Sequence, residues 1–221
     1  RRAFTLRPHL LKGMLSISGW TMVQSFISVS IWFIFFLAIE HLGERPLAVT
    51  NIVRNISALL IMVISAFATT AGALISNQIG AGEQRCLFKT CGMTLKLTYA
   101  ILIPLLIILC LFPEPVLRAF TDSPSLIAAS VNSVYVMASS TLIMAPSFIL
   151  FNAVSGTGNT RAGFIMEMIS LAVYTAVIYY GIIRLKPDVA LCWFSEHVYG
   201  VTLIFLAWWY LKSGKWRGKK V

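Results

Sequence analysis

The sequence predicts an all-α integral membrane protein, a bundle of six transmembrane helices, and three observations lead there. Hydrophobic residues make up 58% of the chain and charged residues 12%, with a mean hydropathy of +0.82, too apolar for a soluble domain of 221 residues. The apolar residues fall in runs of membrane length: positions 55–82 hold 28 uncharged residues and positions 123–160 hold 38. About 20 apolar residues cross a bilayer as a helix. Basic residues gather at alternate breaks between the runs, as they do in cytoplasmic loops.

Each helix has its own signals. The opening RRAFTLRPHLLKG has no methionine and no signal-peptide core, so it reads as the start of a piece of a longer protein. The first helix is expected over 14–40, with Gln24, Ser25, Ser28 and Ser30 at mid-membrane depth. The second, over 46–79, begins after HLGER with Pro46 suited to a first turn, and ends at a Gly-Ala-Gly turn. The third, over 88–112, contains Lys96 near its start and Pro104 at its middle, where a kink or a freed carbonyl is expected. Pro-Glu-Pro ends it. Asp122, Ser123 and Pro124 signal the start of the fourth helix, over 124–153, kinked by Pro146 and carrying Asn152 before the turn SGTGNTR. The fifth, over 162–183, has Glu167 in its second turn. The sixth, over 190–211, has Glu196 and His197 at one end and an interfacial belt of Trp208, Trp209 and Tyr210 at the other, before the basic tail KSGKWRGKK.

The second helix organises the rest. At heptad spacing, one face carries Asn51, Asn55, Ala58, Met62, Ser65, Thr69, Gly72 and Ser76, while the others are mostly aliphatic. A small, polar face is either a close helix–helix seam or the wall of a water-filled cleft. Arg54 beside it favours the cleft, because a guanidinium inside the membrane costs at least roughly 2.5 to 3.5 kcal/mol unless it meets an acid, water or a substrate. Snorkelling stays open for Arg54, which lies about 12 Å along the helix from Pro46. Lys96 and Glu167 stand at similar depth on helices three and five, so a structural ion pair between them is expected, with no transport role.

Orientation follows from the basic residues. Arg1, Arg2, Arg7, Lys12, Arg85, Lys89, Arg161, Lys212, Lys215, Arg217, Lys219 and Lys220 fall on one side, against Arg45, Arg118, Arg184 and Lys186 on the other. Both ends of the segment are therefore expected in the cytoplasm, in a multi-pass protein of the cell (inner) membrane. The net charge of +10 serves this orientation, so no nucleic-acid partner is inferred.

Other chemistries find little support. Cys86, Cys91, Cys110 and Cys192 have neither metal-ligand nor disulfide spacing, and His41 and His197 follow glutamates without forming HExxH. No serine–histidine set and no pair of mid-membrane aspartates suggests an intramembrane enzyme. The glycines of GTGNTR follow no strand, so they suit a helix end better than a phosphate cradle. GAGEQR and GTGNTR share G-x-G-x-x-R, which reads as two economical turns or as two equivalent hairpins.

A six-helix unit whose second helix begins LAVTNIVRNIS and ends SNQIGAGE, whose fourth ends FNAVSGTGNTR and whose tail reads LKSGKW resembles the C-terminal lobe of a MATE (multidrug and toxic compound extrusion) transporter, over nearly the whole chain. The resemblance implies one lobe of a twelve-helix antiporter that exports organic, often cationic, compounds against inflowing sodium ions or protons. Its partners would be membrane lipid, the N-terminal lobe and a small-molecule substrate. No cofactor is implied beyond the coupling ion. In one branch of the family, acids on the first and fourth helices of this lobe bind the coupling cation; here those positions fall near Ser28 and Pro146, so the coupling acid is expected in the N-terminal lobe. Gln24, Ser28, Asn51, Arg54, Asn55, Met62, Ser65 and Asn152 are the candidates for the cleft wall. Glu196 is the local coupling candidate, set against an interfacial glutamate paired to His197 or to water. The alternative is a flippase for lipid-linked oligosaccharides or other lipids in the same superfamily, which would want a more cationic cleft than Arg54 alone provides.

Overall fold

The computed structural model describes residues 8–214 and 216, with side chains at 19, 22, 23, 25–214 and 216. The side chain of Gln24, the basic leader and most of the basic tail lie outside the described residues. All regular structure among the described residues is helical. The long helices are α1 (Pro8–Glu40), α2 (Glu44–Gly80), α3 (Leu87–Leu111), α5 (Pro124–Gly156), α6 (Thr160–Val177) and α8 (Ser195–Ser213). Short helices α4 (Pro113–Arg118) and α7 (Val189–Cys192) lie before α5 and α8, and a 3-10 turn, Gln84–Cys86, leads into α3. Glu44–Gly80, Gln84–Leu111, Pro124–Gly156, Thr160–Arg184 and Val189–Ser213 are long and apolar enough to cross a membrane, and α1 adds the shorter apolar stretch Ser25–Glu40.

The pair α2 and α5 forms the centre of the bundle, with α3 and α8 against α5, and α6 between α8 and α1. Two glycines set how closely the central pair approaches. A Cβ on Gly156 would lie 2.5 Å from the carbonyl oxygen of Gly72, and one on Gly72 would lie 2.9 Å from that of Asn152. Only glycine leaves room for this contact, the small-residue seam of membrane helices. The polar face of α2 therefore divides. Gly72 is packed against α5, whereas Asn55, Ala58, Met62 and Thr69 are exposed.

Pro104 and Pro146 lie inside α3 and α5. Pro146 has no N–H to give the carbonyl of Leu142 one turn back. That oxygen instead accepts a 2.7 Å hydrogen bond from the hydroxyl of Tyr99 on α3, so the break in one helix becomes a tie to its neighbour. At its far end α6 widens into a π-helical segment, Ile178–Arg184, a feature that apolar periodicity does not announce. Phe35 and Ile39 of α1 pack there on Tyr174, Ile178 and Ile182.

One pairing expected from the sequence does not form. Glu167 is buried in the bundle and makes no contact with Lys96, which is exposed on α3. Equal depth along two helices does not make them neighbours: α6 packs on α8 and α1, and hardly touches α3.

Candidate functional site

The site begins with the start of α6. The side chain of Asn159 accepts from the amide N–H of Ala162, capping the helix, and its own amide donates to the hydroxyl of Tyr210 at 2.5 Å. This start sets the register that turns Glu167 and Tyr174, two turns apart, to one face of α6. On α8, Glu196 and Tyr199 are three residues apart and share a face in the same way.

Where α6 and α8 pack, the two acid–tyrosine pairs cross. The hydroxyl of Tyr199 donates to Glu167 Oε1 at 3.0 Å, and that of Tyr174 donates to Glu196 Oε1 at 2.7 Å. The tyrosine rings meet edge to face, centroids 5.8 Å apart. Ser28 of α1 adds a second donor to Glu167 Oε1, also at 3.0 Å. Glu167 and Glu196 retain 4% and 5% of their exposure. Both line one cavity of about 210 Å³ with Ser28, Trp32, Met144 and Phe148, and no Lys, Arg or His among the described residues borders it. Glu167 also borders a second cavity, of about 290 Å³, with Ser65, Thr69, Asn152 and Tyr199.

The energetics of this cluster are unusual for a packing feature. A carboxylate at the centre of a membrane helix costs roughly 2.5 to 3.5 kcal/mol on insertion scales and less toward the ends. Glu167 and Glu196 stand nearer one end of their spans, Thr160–Arg184 and Val189–Ser213, and two carboxylates in one low-dielectric cavity also repel each other. Hydrogen bonds to a charged group return about 1.5 to 3 kcal/mol each, and the three hydroxyl donors are unevenly shared. Glu167 Oε1 takes two of them, while Glu167 Oε2 is buried with no partner. The arrangement can therefore hold a proton or a small cation between oxygens.

The structure sorts the residues singled out from the sequence. Ser28 and Glu196 meet in the first cavity, and Ser65 and Asn152 in the second, all around Glu167. Asn51, Arg54, Asn55 and Met62 stand apart along α2: the Asn51 amide donates to Leu47 of its own helix at 3.1 Å, Asn55 is exposed, and Met62 is 73% exposed. Arg54 is exposed and lies over the ring of Phe36, 5.0 Å from its centroid. Glu196 is not paired to His197; it is buried against Tyr174, and His197 Nε2 turns instead to Ser139 Oγ at 2.9 Å. Glu167, Tyr174 and Tyr199 were missed as a group. The signal was present as Glu and Tyr at one-face spacing on two helices, but only their packing shows that the pairs interlock.

Comparison with known proteins decides the family. The family model MatE matches residues 21–180. This chain belongs to the MatE family. Several solved structures share the fold of this MatE chain at low identity. The MATE transporter VcmN of Vibrio cholerae in its bent form is 16% identical, with a TM-score of 0.84 over 95% of this chain and 48% of its own. An outward-facing multidrug resistance MATE transporter of the MOP superfamily is 14% identical, with a TM-score of 0.80 over 92% of this chain and 46% of its own. A MOP superfamily transporter from Pyrococcus furiosus is 14% identical, with a TM-score of 0.79 over 90% and 44%. The chain thus spans about half the length of the solved structures it matches. No curated protein matches it.

Proposed function

We propose that this MatE chain is the C-terminal six-helix lobe of a secondary active exporter, which moves organic, often cationic, compounds out of the cell against inflowing sodium ions or protons. Membership of a transporter family gives the broad class. The observation that carries the finer reading is the open face of α2, where polar Asn55 and Thr69 alternate with apolar Leu59 and Met62. Asn55, Met62 and Thr69 are exposed along one side of the lobe, and Ser65 and Thr69 lead into the cavity bordered by Glu167. In repeat-built transporters the substrate site lies at the interface of two repeats, and alternating access comes from one rocking against the other. A face on which Asn55 and Thr69 are set among exposed Leu59 and Met62 suits contact with a second lobe and a mixed organic substrate.

The lobe would sit in the inner membrane with both ends of the segment in the cytoplasm, from the basic-residue bias. A flippase for lipid-linked oligosaccharides or other lipids is the alternative, and the exposed face of α2 gives it little support. Arg54 is the one basic side chain on or beside that face among the described residues, whereas a phosphate-handling cleft calls for several.

Arg54 tests the reading. Its contact with Phe36 is worth only about 0.5 to 1 kcal/mol at an exposed site, so Arg54→Ala should insert and fold normally. If Arg54 faces the cleft, cells carrying the variant should export a fluorescent organic cation several-fold more slowly at equal expression. Unchanged export would leave Arg54 as a snorkelling residue and remove this face from the transport path.

A further inference from the structure

We propose that Glu167 and Glu196, with the hydroxyls of Ser28, Tyr174 and Tyr199, form a binding site for a monovalent cation, sodium or a proton, inside this lobe. The proposal rests on the cation-coupled reading above and gives the coupling ion a site on α6 and α8. The sequence-based expectation put the coupling acid in the other lobe and kept Glu196 as the local candidate, without Glu167.

The donor set is all oxygen: two carboxyls, two phenols and one alcohol. Oxygens of this kind suit hard cations and give a soft metal neither thiolate nor imidazole. Each carboxyl accepts its phenol at Oε1. One buried acceptor is plainly unmet. Glu167 Oε2 has no partner although the residue is 96% removed from solvent, and such an oxygen carries its full desolvation cost until a proton or an ion reaches it.

Among the described residues no fixed positive charge lines the site. The titratable groups facing the cavity are Glu167 and Tyr174 of α6 and Glu196 and Tyr199 of α8. The other elements present Ser28 and Trp32 (α1), Ile61 (α2), and Met144 and Phe148 (α5), none of them ionisable. His197, next to Glu196 in sequence, is engaged with Ser139. A cation here would also have a mechanical lever. Ser28 to Glu167 ties α1 to the α6–α8 pair, so an ion drawing on Glu167 redistributes the hydrogen bonds that hold α1 in place. Because Glu167 borders both cavities, the same side chain links this site to the exposed face of α2.

The test uses the protein as it occurs in the cell, purified into lipid nanodiscs, with intrinsic fluorescence as the readout because Trp32 lines the cavity. Sodium chloride is titrated against choline chloride at fixed pH, and pH is titrated without sodium. A saturable response to sodium identifies sodium as the ligand, and a response to pH alone identifies the proton. In either case Glu167→Gln and Glu196→Gln should each weaken the response about tenfold or more, the double variant should abolish it, and Glu167→Asp should retain part of it. A wild-type protein that responds to neither ion overturns the proposal. So does a double variant with wild-type response or, should the double variant fail to fold, two single variants with wild-type affinity. Transport separates the two readings. Ion-coupled export that survives both substitutions sinks this site and leaves the antiporter; ion binding at the acids with uncoupled export does the reverse.

Discussion

Tyr174 and Tyr199 act at the scale of single atoms, each giving one hydroxyl proton to an acid on the opposite helix. Tyr174→Phe keeps the ring and removes the donor to Glu196 Oε1, leaving a buried carboxyl oxygen with less than it has now. The expected loss is about 1 to 3 kcal/mol, seen as a lower midpoint of thermal unfolding in detergent. Tyr180→Phe, on the exposed side of the same helix, should leave the midpoint unchanged. Equal midpoints for the two variants would show that the bond to Glu196 contributes nothing. Both acids stood out in the sequence as charges inside apolar runs, yet Glu167 was matched to Lys96. Depth along a helix can be counted from its ends, whereas the direction a residue faces between helices depends on packing. The crossed pairs were legible only once α6 was seen against α8.

At the scale of elements, the α2–α5 seam and the α3–α5 tie carry the architecture. A methyl group at Gly156 would press on the Gly72 backbone, which cannot swing aside as a side chain can. Gly156→Ala should therefore destabilise by about 1 to 3 kcal/mol, while Gly92→Ala, with nothing within 4 Å of the added atom, should be tolerated. Matching unfolding curves for the two would contradict the seam. The tie makes a sharper claim. Pro146→Ala restores an N–H that can reach the carbonyl of Leu142, so Tyr99→Phe should matter in the native background and hardly at all beside Pro146→Ala. A double-mutant cycle should give a coupling of about 0.6 kcal/mol, the average for membrane hydrogen bonds; zero coupling would show that water or another group already serves the carbonyl. The helical fold was legible because uncharged runs of this length have no other stable form in a bilayer. Pro146 was legible as a break, since a missing N–H is a local fact. Its partner Tyr99, 47 residues earlier, was not. Nor was the π-helical turn at Ile178–Arg184, whose residues are as apolar as those of an ordinary helix.

At the scale of the whole molecule, the basic-residue bias sets the orientation to expect. Glu83 and Glu114 are exposed at breaks flanking α3, and replacing an acid leaves the Lys/Arg bias intact. With the native cysteines removed, a cysteine at 114 should react with an impermeant maleimide added to intact cells, and one at 83 only after permeabilisation. The opposite pattern would invert the topology. This MatE lobe is proposed to work in an exporter driven by cation inflow. Its most direct test is efflux of a fluorescent organic cation from proteoliposomes holding the purified protein, under an imposed sodium or proton gradient. Export should follow one of the two gradients and stop when the matching ionophore collapses it. Export that continues at the same rate with both gradients collapsed would contradict the account.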